Sequence, residues 1–76
     1  MTLLAFAAGE SVSEEVYPQD VMYFLVGGEA IVSLPDGAVT MREGDVLCVA
    51  AGTPSALAGA DPDRGFKLLQ LAIPVG

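Results

Sequence analysis

Residues 20–45 read DVMYFLVGGEAIVSLPDGAVTMREGD. Three runs rich in Val, Leu, Ile, Phe and Tyr are separated by Gly27-Gly28 and by Pro35-Asp36-Gly37, and a further break, Arg42-Glu43-Gly44, follows the third. Short apolar runs bounded by turn residues read as β-strands, because β-branched and aromatic side chains suit a pleated, half-buried surface. A helix would need an apolar period sustained over about 10–12 residues, and no segment between these breaks reaches it. Gly27-Gly28 suits a two-residue hairpin, since both positions tolerate positive φ. Pro35-Asp36-Gly37 suits a type I or II turn. The two turns together predict a meander of three successive strands.

The same punctuation extends outward in both directions. Gly9, Pro18-Gln19-Asp20, Gly52-Thr53-Pro54 and Asp61-Pro62-Asp63-Arg64-Gly65 are further breaks. They predict eight strands, at about 2–8, 10–17, 20–26, 29–34, 37–42, 45–50, 55–59 and 66–73. Eight short strands with no helix between them imply an all-β sandwich or barrel, and 76 residues imply one domain, 1–76. A domain this small buries only about 60% of the surface of its unfolded chain. Disulfides, a metal or a partner subunit commonly supplement such a core. Cys48 is the single cysteine, so no intrachain disulfide forms, and there is no histidine.

A partner subunit is the remaining support, and the hydropathy pattern favours it. Apolar residues make up 53% of the chain and charged residues 17%, with a mean hydropathy of +0.57. Val21 to Val26 is apolar at every position instead of at alternate ones, and Leu68-Leu69 with Leu71-Ala72-Ile73 is similar, as are Leu3 to Phe6 and Val46 to Val49. A strand of an antiparallel sheet turns one face to the core and the other outward. An apolar outer face calls for a cover, and the expected cover is a second copy in a two-fold dimer with sheets packed face to face.

Charge excludes two classes of partner. Ten acidic residues face only Arg42, Arg64 and Lys67, a formal net charge of -7. Nucleic-acid binding requires cations to neutralise phosphates, and an anionic membrane surface makes the same demand. No run approaches the ~18 apolar residues of a membrane span. Leu3 to Ala8 is too short, and lacks the basic flank, for a secretory signal. With one free cysteine, the expected location is the cytoplasm.

Few residues offer chemistry. Cys48 lies inside an apolar run and reads as a buried, inert packing residue. Ser11, Ser13, Ser33 and Ser55 have no histidine to act as base. Glu14, Glu15 and Asp20 are close in sequence but read as a solvated acidic loop, not as the converging oxygens a hard cation needs. Gly27-Gly28 has neither the following helix nor the lysine of a phosphate-binding loop.

From Gly9 onward the spacing resembles the cupin superfamily. The first cupin motif runs Gly, five residues, His, any, His, three or four residues, Glu, six residues, Gly. Here Gly9 is followed at that spacing by Glu15, Tyr17, Val21 and Gly28. The second runs Gly, five residues, Pro, any, Gly, two residues, His, three residues, Asn. Here Gly44 is followed by Ala50, Gly52, Ser55 and Gly59, and the stretch GDVLCVAAGTP, residues 44–54, is the most similar in character. The resemblance covers residues 2 to 75. It implies an antiparallel jelly-roll β-barrel of two Greek keys, the cupin double-stranded β-helix. It also implies a degenerate metal site, because the four ligand positions hold Glu15, Tyr17, Val21 and Ser55. Transition metals in such barrels want imidazole or thiolate with a carboxylate. No metal or other cofactor is expected.

If Glu15 points inward as the family position does, burial would raise its pKa and make it a candidate acid or base, with Tyr17 on the same strand face. Tyr23 would share the inner face with Val21. The expected site is therefore a cavity lined by Glu15, Tyr17, Val21, Tyr23 and Ser55. The leading expectation is a metal-free, non-catalytic homodimer that binds a small, mainly apolar molecule in the barrel. An enzyme of isomerase, lyase or oxygenase class using Glu15 and Tyr17, or an atypical metal site, is the alternative. A purely structural domain filled by its own side chains is the third.

Overall fold

The computed structural model describes residues 1–73. Eight strands follow one another: β1 (Thr2–Phe6), β2 (Ser11–Glu15), β3 (Asp20–Gly27), β4 (Glu29–Leu34), β5 (Gly37–Arg42), β6 (Val46–Val49), β7 (Ser55–Gly59) and β8 (Phe66–Ile73). Each of the eight runs read from the sequence forms one of them. The strands pair antiparallel in two four-stranded sheets, sheet I in the order β1-β8-β3-β6 and sheet II in the order β2-β7-β4-β5. The chain passes between the sheets at almost every turn, which makes the fold a jelly roll. Among the described residues no hydrogen-bonded ladder joins the two sheets, so the expected barrel is realised as two facing sheets with open edges.

The core lies between them. In β3 the alternation buries Val21, Tyr23 and Leu25 and turns Met22, Phe24 and Val26 outward. β8 adds Phe66 and Leu68, β4 adds Ala30 and Val32, and Met41, Val49 and Leu57 close the set. Tyr23, Leu25, Met41, Leu68 and Val32 are the largest fully buried side chains, and they fill the middle of the sandwich. Phe6 stacks on Phe66 at one end, ring centroids 4.6 Å apart. Among the described residues, no helix is long and apolar enough to cross a membrane.

Two of the sequence expectations about β3 and β6 need correction. Pro35-Asp36 does form a tight hairpin, with Leu34 opposite Gly37. Gly27-Gly28 does not: β3 pairs with β6 and β8, β4 pairs with β5 and β7, and the glycines are a corner between sheets. Only Gly28 has positive φ, +80°, and a Cβ there would fall 2.5 Å from the Gly65 carbonyl oxygen and 3.0 Å from the Phe66 Cα. The glycine is needed because the start of β8 crosses the corner, a non-local reason that turn composition does not report. A register shift in the β3–β8 ladder between Leu25 and Gly27 bends the strand into this corner. Cys48 is the second correction. It is exposed on the outer side of β6, opposite Met22.

Gly28→Ala is expected to unfold at lower urea than Gly9→Ala. Both positions have positive φ, which costs a residue with a Cβ about 1–2 kcal/mol, but a Cβ at Gly9 meets nothing within 4 Å. Equal losses in the two variants would contradict the crossing of β8 over the corner. Leu68→Ala, which empties a fully buried site, is expected to cost about 2–5 kcal/mol by the same measurement.

Candidate ligand-binding mouth

At one open end of the sandwich, four segments bring polar side chains together. β3 enters there and turns Val21 and Tyr23 inward. β7 begins with Ser55, the one buried polar residue of the described chain, 3% exposed. β8 passes between β1 and β3 and places Gln70 directly opposite Tyr23. The β2–β3 loop supplies Tyr17, which packs half-buried against the core. Two hydrogen bonds tie this loop and the first residue of β3 to the β6–β7 loop across the opening. The Gly52 amide donates to the Tyr17 carbonyl at 2.9 Å, and the Ala51 amide donates to Asp20 Oδ1 at 2.7 Å.

Tyr23 is the centre of the group. Gln70 Nε2 donates to its hydroxyl at 3.4 Å, and the side chains of Ser55 and Tyr17 stand close enough to act on its ionisation. Burial, and after it the adjacent Tyr17 phenol, raise the Tyr23 pKa above its ordinary 10.0, against the lowering effect of Gln70 and Ser55. The phenol is therefore neutral at physiological pH. No buried side-chain polar atom among the described residues lacks a partner. Above the group opens a cleft of about 180 Å³, walled by Thr2, Tyr17, Gln19, Val21, Gln70 and Ala72 with Met1 and Pro18 at its rim. No charged side chain lines it.

Of the residues expected to form a cavity, the structure brings Tyr17, Val21, Tyr23 and Ser55 together and leaves Glu15 out. Glu15 ends β2 opposite Ser55, after a register shift between Val12 and Glu15. That register puts Glu15 on the same face as Ser55, but it ends an edge strand and its side chain stays exposed in solvent. The burial that acid–base work by Glu15 required is missing. Gln70 was the residue not anticipated. Its signal was legible, since a lone polar residue at the inward period of Leu68 interrupts an otherwise apolar run. Two larger clefts lie at the opposite end. One, of about 320 Å³, is an open surface between loops with Arg42, Arg64 and three acidic residues, where Arg42 already faces Glu29 at 3.8 Å. The other, of about 490 Å³, is a groove beside Phe6, Gly28 and Phe66.

A solved cupin superfamily protein from Desulfitobacterium hafniense superposes on 93% of the chain with a TM-score of 0.86 and 41% identity. The chain has the fold of the cupin superfamily. A cupin-like protein from Thermotoga maritima shares the fold (TM-score 0.84, 92% of the chain, 15% identity), as does the DMSP lyase DddQ from Ruegeria pomeroyi (TM-score 0.81, 90% of the chain, 25% identity). The chain spans 62%, 53% and 34% of these three proteins. No family model matches the sequence, and no curated protein matches it.

Cupins imply a transition metal at this mouth, and the residues here do not fit one. Val21 has no donor atom, Ser55 and Tyr17 are neutral hydroxyls, and Glu15 faces solvent. Among the described residues, no three His, Cys, Asp or Glu side chains converge.

The sign of the Tyr23 shift gives a stability test. A phenol whose pKa is higher folded than unfolded adds stability that is complete below the unfolded value, here 10.0, and is lost as pH rises through the folded value. Urea unfolding followed from neutral pH upward is expected to show a steeper alkaline loss in the wild type than in Tyr23→Phe. The variant itself is expected to be about 1 kcal/mol less stable at neutral pH, because Gln70 loses its hydrogen-bond partner. Identical pH dependence in both proteins would contradict a buried, neutral Tyr23.

Proposed function

We propose that this cupin is a metal-free, non-catalytic binding domain that works as a homodimer and holds a small, uncharged, mainly apolar molecule at its mouth. The observation that carries the reading is the replacement of a metal-ligand set by a neutral hydrogen-bonding group. Tyr23 and Ser55 lie buried beneath a cleft that no charged side chain lines, and Tyr17 and Gln70 supply the phenol and the amide of its wall. Such a site offers a phenol and an amide to a hydroxyl or carbonyl and offers apolar contact to the rest of the molecule. At about 180 Å³ the cleft is smaller than the ~300 Å³ of sites for drug-sized ligands. Its ligand is correspondingly small. A single free cysteine and a strongly acidic surface suit a cytoplasmic protein.

Similarity to a DMSP lyase raises the enzymatic alternative, but the acid–base pair that alternative needs is split here, with Tyr17 in the cleft wall and Glu15 in solvent. The filled middle of the sandwich supports the non-catalytic reading.

Benzyl alcohol, which joins one hydroxyl to an apolar ring, is a suitable probe. Amide chemical-shift titration at millimolar concentration is expected to move Tyr17, Val21 and Gln70 and to leave the Gly28 end unmoved. Tyr23→Phe is expected to weaken the response several-fold. No response at the mouth would favour a domain whose interior serves only its own packing. Native mass spectrometry of the purified protein is expected to give two chains without metal, and a tightly held Fe, Mn, Ni or Zn ion would overturn the reading.

A further inference from the structure

The outer face of sheet I differs from every other surface of the molecule. The outward positions of β3 and β8 place Phe24 opposite Leu69 and Met22 opposite Leu71 at its centre. Leu3 on β1 and Val46 on β6 continue the apolar surface to both edges, where they are 59% and 53% exposed. The outer face of sheet II, by contrast, presents one large apolar side chain, Ile31, among Ser33, Thr40, Ala56, Ala58 and the Glu29–Arg42 pair. Charge on the apolar face is confined to its two ends. Lys67 lies at one end of β8, and Asp20, paired with Ile73, lies at the other.

We propose that this face is the homodimer interface, packed sheet on sheet about a two-fold axis that crosses the strands at the level of the Tyr23–Gln70 pair. The inference rests on the homodimer reading above and names its surface and orientation.

Area, charge and symmetry support it. With strands about 4.8 Å apart and a rise of about 3.3 Å per residue, the face measures roughly 19 by 23 Å, on the order of 440 Å² in projection. Two copies bury about 900 Å² before side-chain relief is counted, close to the ~1,000 Å² of a specific interface. An apolar patch of this size is as large as the largest on an ordinary monomer. The chain carries a net charge of -7, so two copies repel over most of their surfaces. This face holds one cation and one anion, and only here can copies meet without massing acidic groups.

The positions of those two charges select the orientation. An axis parallel to the strands would set Lys67 level with Lys67, and Asp20 level with Asp20. An axis across the strands reverses them, so that Lys67 comes level with Ile73 and Asp20 of the partner subunit, about one strand spacing apart. The same rotation lays the Leu69–Phe24 row on the Leu71–Met22 row, apolar on apolar.

Light scattering at micromolar concentration tests the parts in turn. The wild type is expected at twice the 7.8 kDa chain mass; a monomer would sink the homodimer reading itself and this surface with it. Leu69→Asp is expected to be monomeric with an unchanged β circular dichroism spectrum. Val46→Lys, at a more exposed edge site, is a second probe should Leu69→Asp misfold, and is expected to weaken dimerisation at least tenfold. A dimer unmoved by both would leave the homodimer standing and overturn this face as its interface. Lys67→Glu and Asp20→Lys are each expected to weaken the dimer several-fold, and the doubly reversed protein to recover. Failure to recover would overturn the reversed orientation.

Discussion

The ladder between β3 and β8 is the constraint from which the rest of the molecule follows. It runs from Asp20–Ile73 to Gly27–Lys67 through the centre of sheet I. Its inward residues, Val21, Tyr23, Leu25, Leu68 and Phe66, form most of one wall of the core. Its outward residues are nearly as apolar. A pair of strands with this composition has no stable position at a sheet edge, and it takes the middle, flanked by β1 and β6. That placement removes β4 from β3, sends the chain through the Gly28 corner into the second sheet, and so sets the jelly-roll path. Hydrophobic burial on the inner face is the dominant favourable term in a domain this small.

The same ladder builds the mouth. Tyr23 and Gln70 are direct partners across it, so the polar group of the site is anchored on the most securely paired backbone in the protein. Ser55 reaches them from the opposite sheet. The outcome is a cupin fold whose polar centre is neutral. A metal-binding barrel concentrates anionic and imidazole donors at this end. Here the four corresponding positions hold an exposed carboxylate, two hydroxyls and a valine.

The outward side of the ladder connects stability to assembly. A 76-residue chain without disulfide has one thin core, and its largest apolar surplus lies on a single sheet face. Burying that face against its own copy would double the apolar layer that supports β3 and β8. It would also brace the strands that carry Tyr23 and Gln70, so dimerisation and the geometry of the mouth would be linked through the same backbone.

Much of this was legible in the chain. Residue period and turn composition are local properties, and they placed all eight strands, the Pro35-Asp36 hairpin and the apolar surplus on β3 and β8. The glycine spacing placed Tyr17, Val21 and Ser55 at one end of the fold. What local pattern does not carry is which strands pair and where a ladder slips. Gly27-Gly28 has the composition of a hairpin, yet it is a corner, because the neighbour that makes Gly28 necessary lies almost forty residues away in sequence at Gly65. Glu15 has the right spacing for the interior and pairs with the inward Ser55, yet it stands at the end of an edge strand with no neighbour to cover it, and stays in solvent. Cys48 sits in an apolar run, yet β6 turns it outward. The alternation of side chains along a strand is decided by sequence; which face of that strand meets the core is decided by partners distant in the chain, since a shift of one residue in register exchanges the two faces.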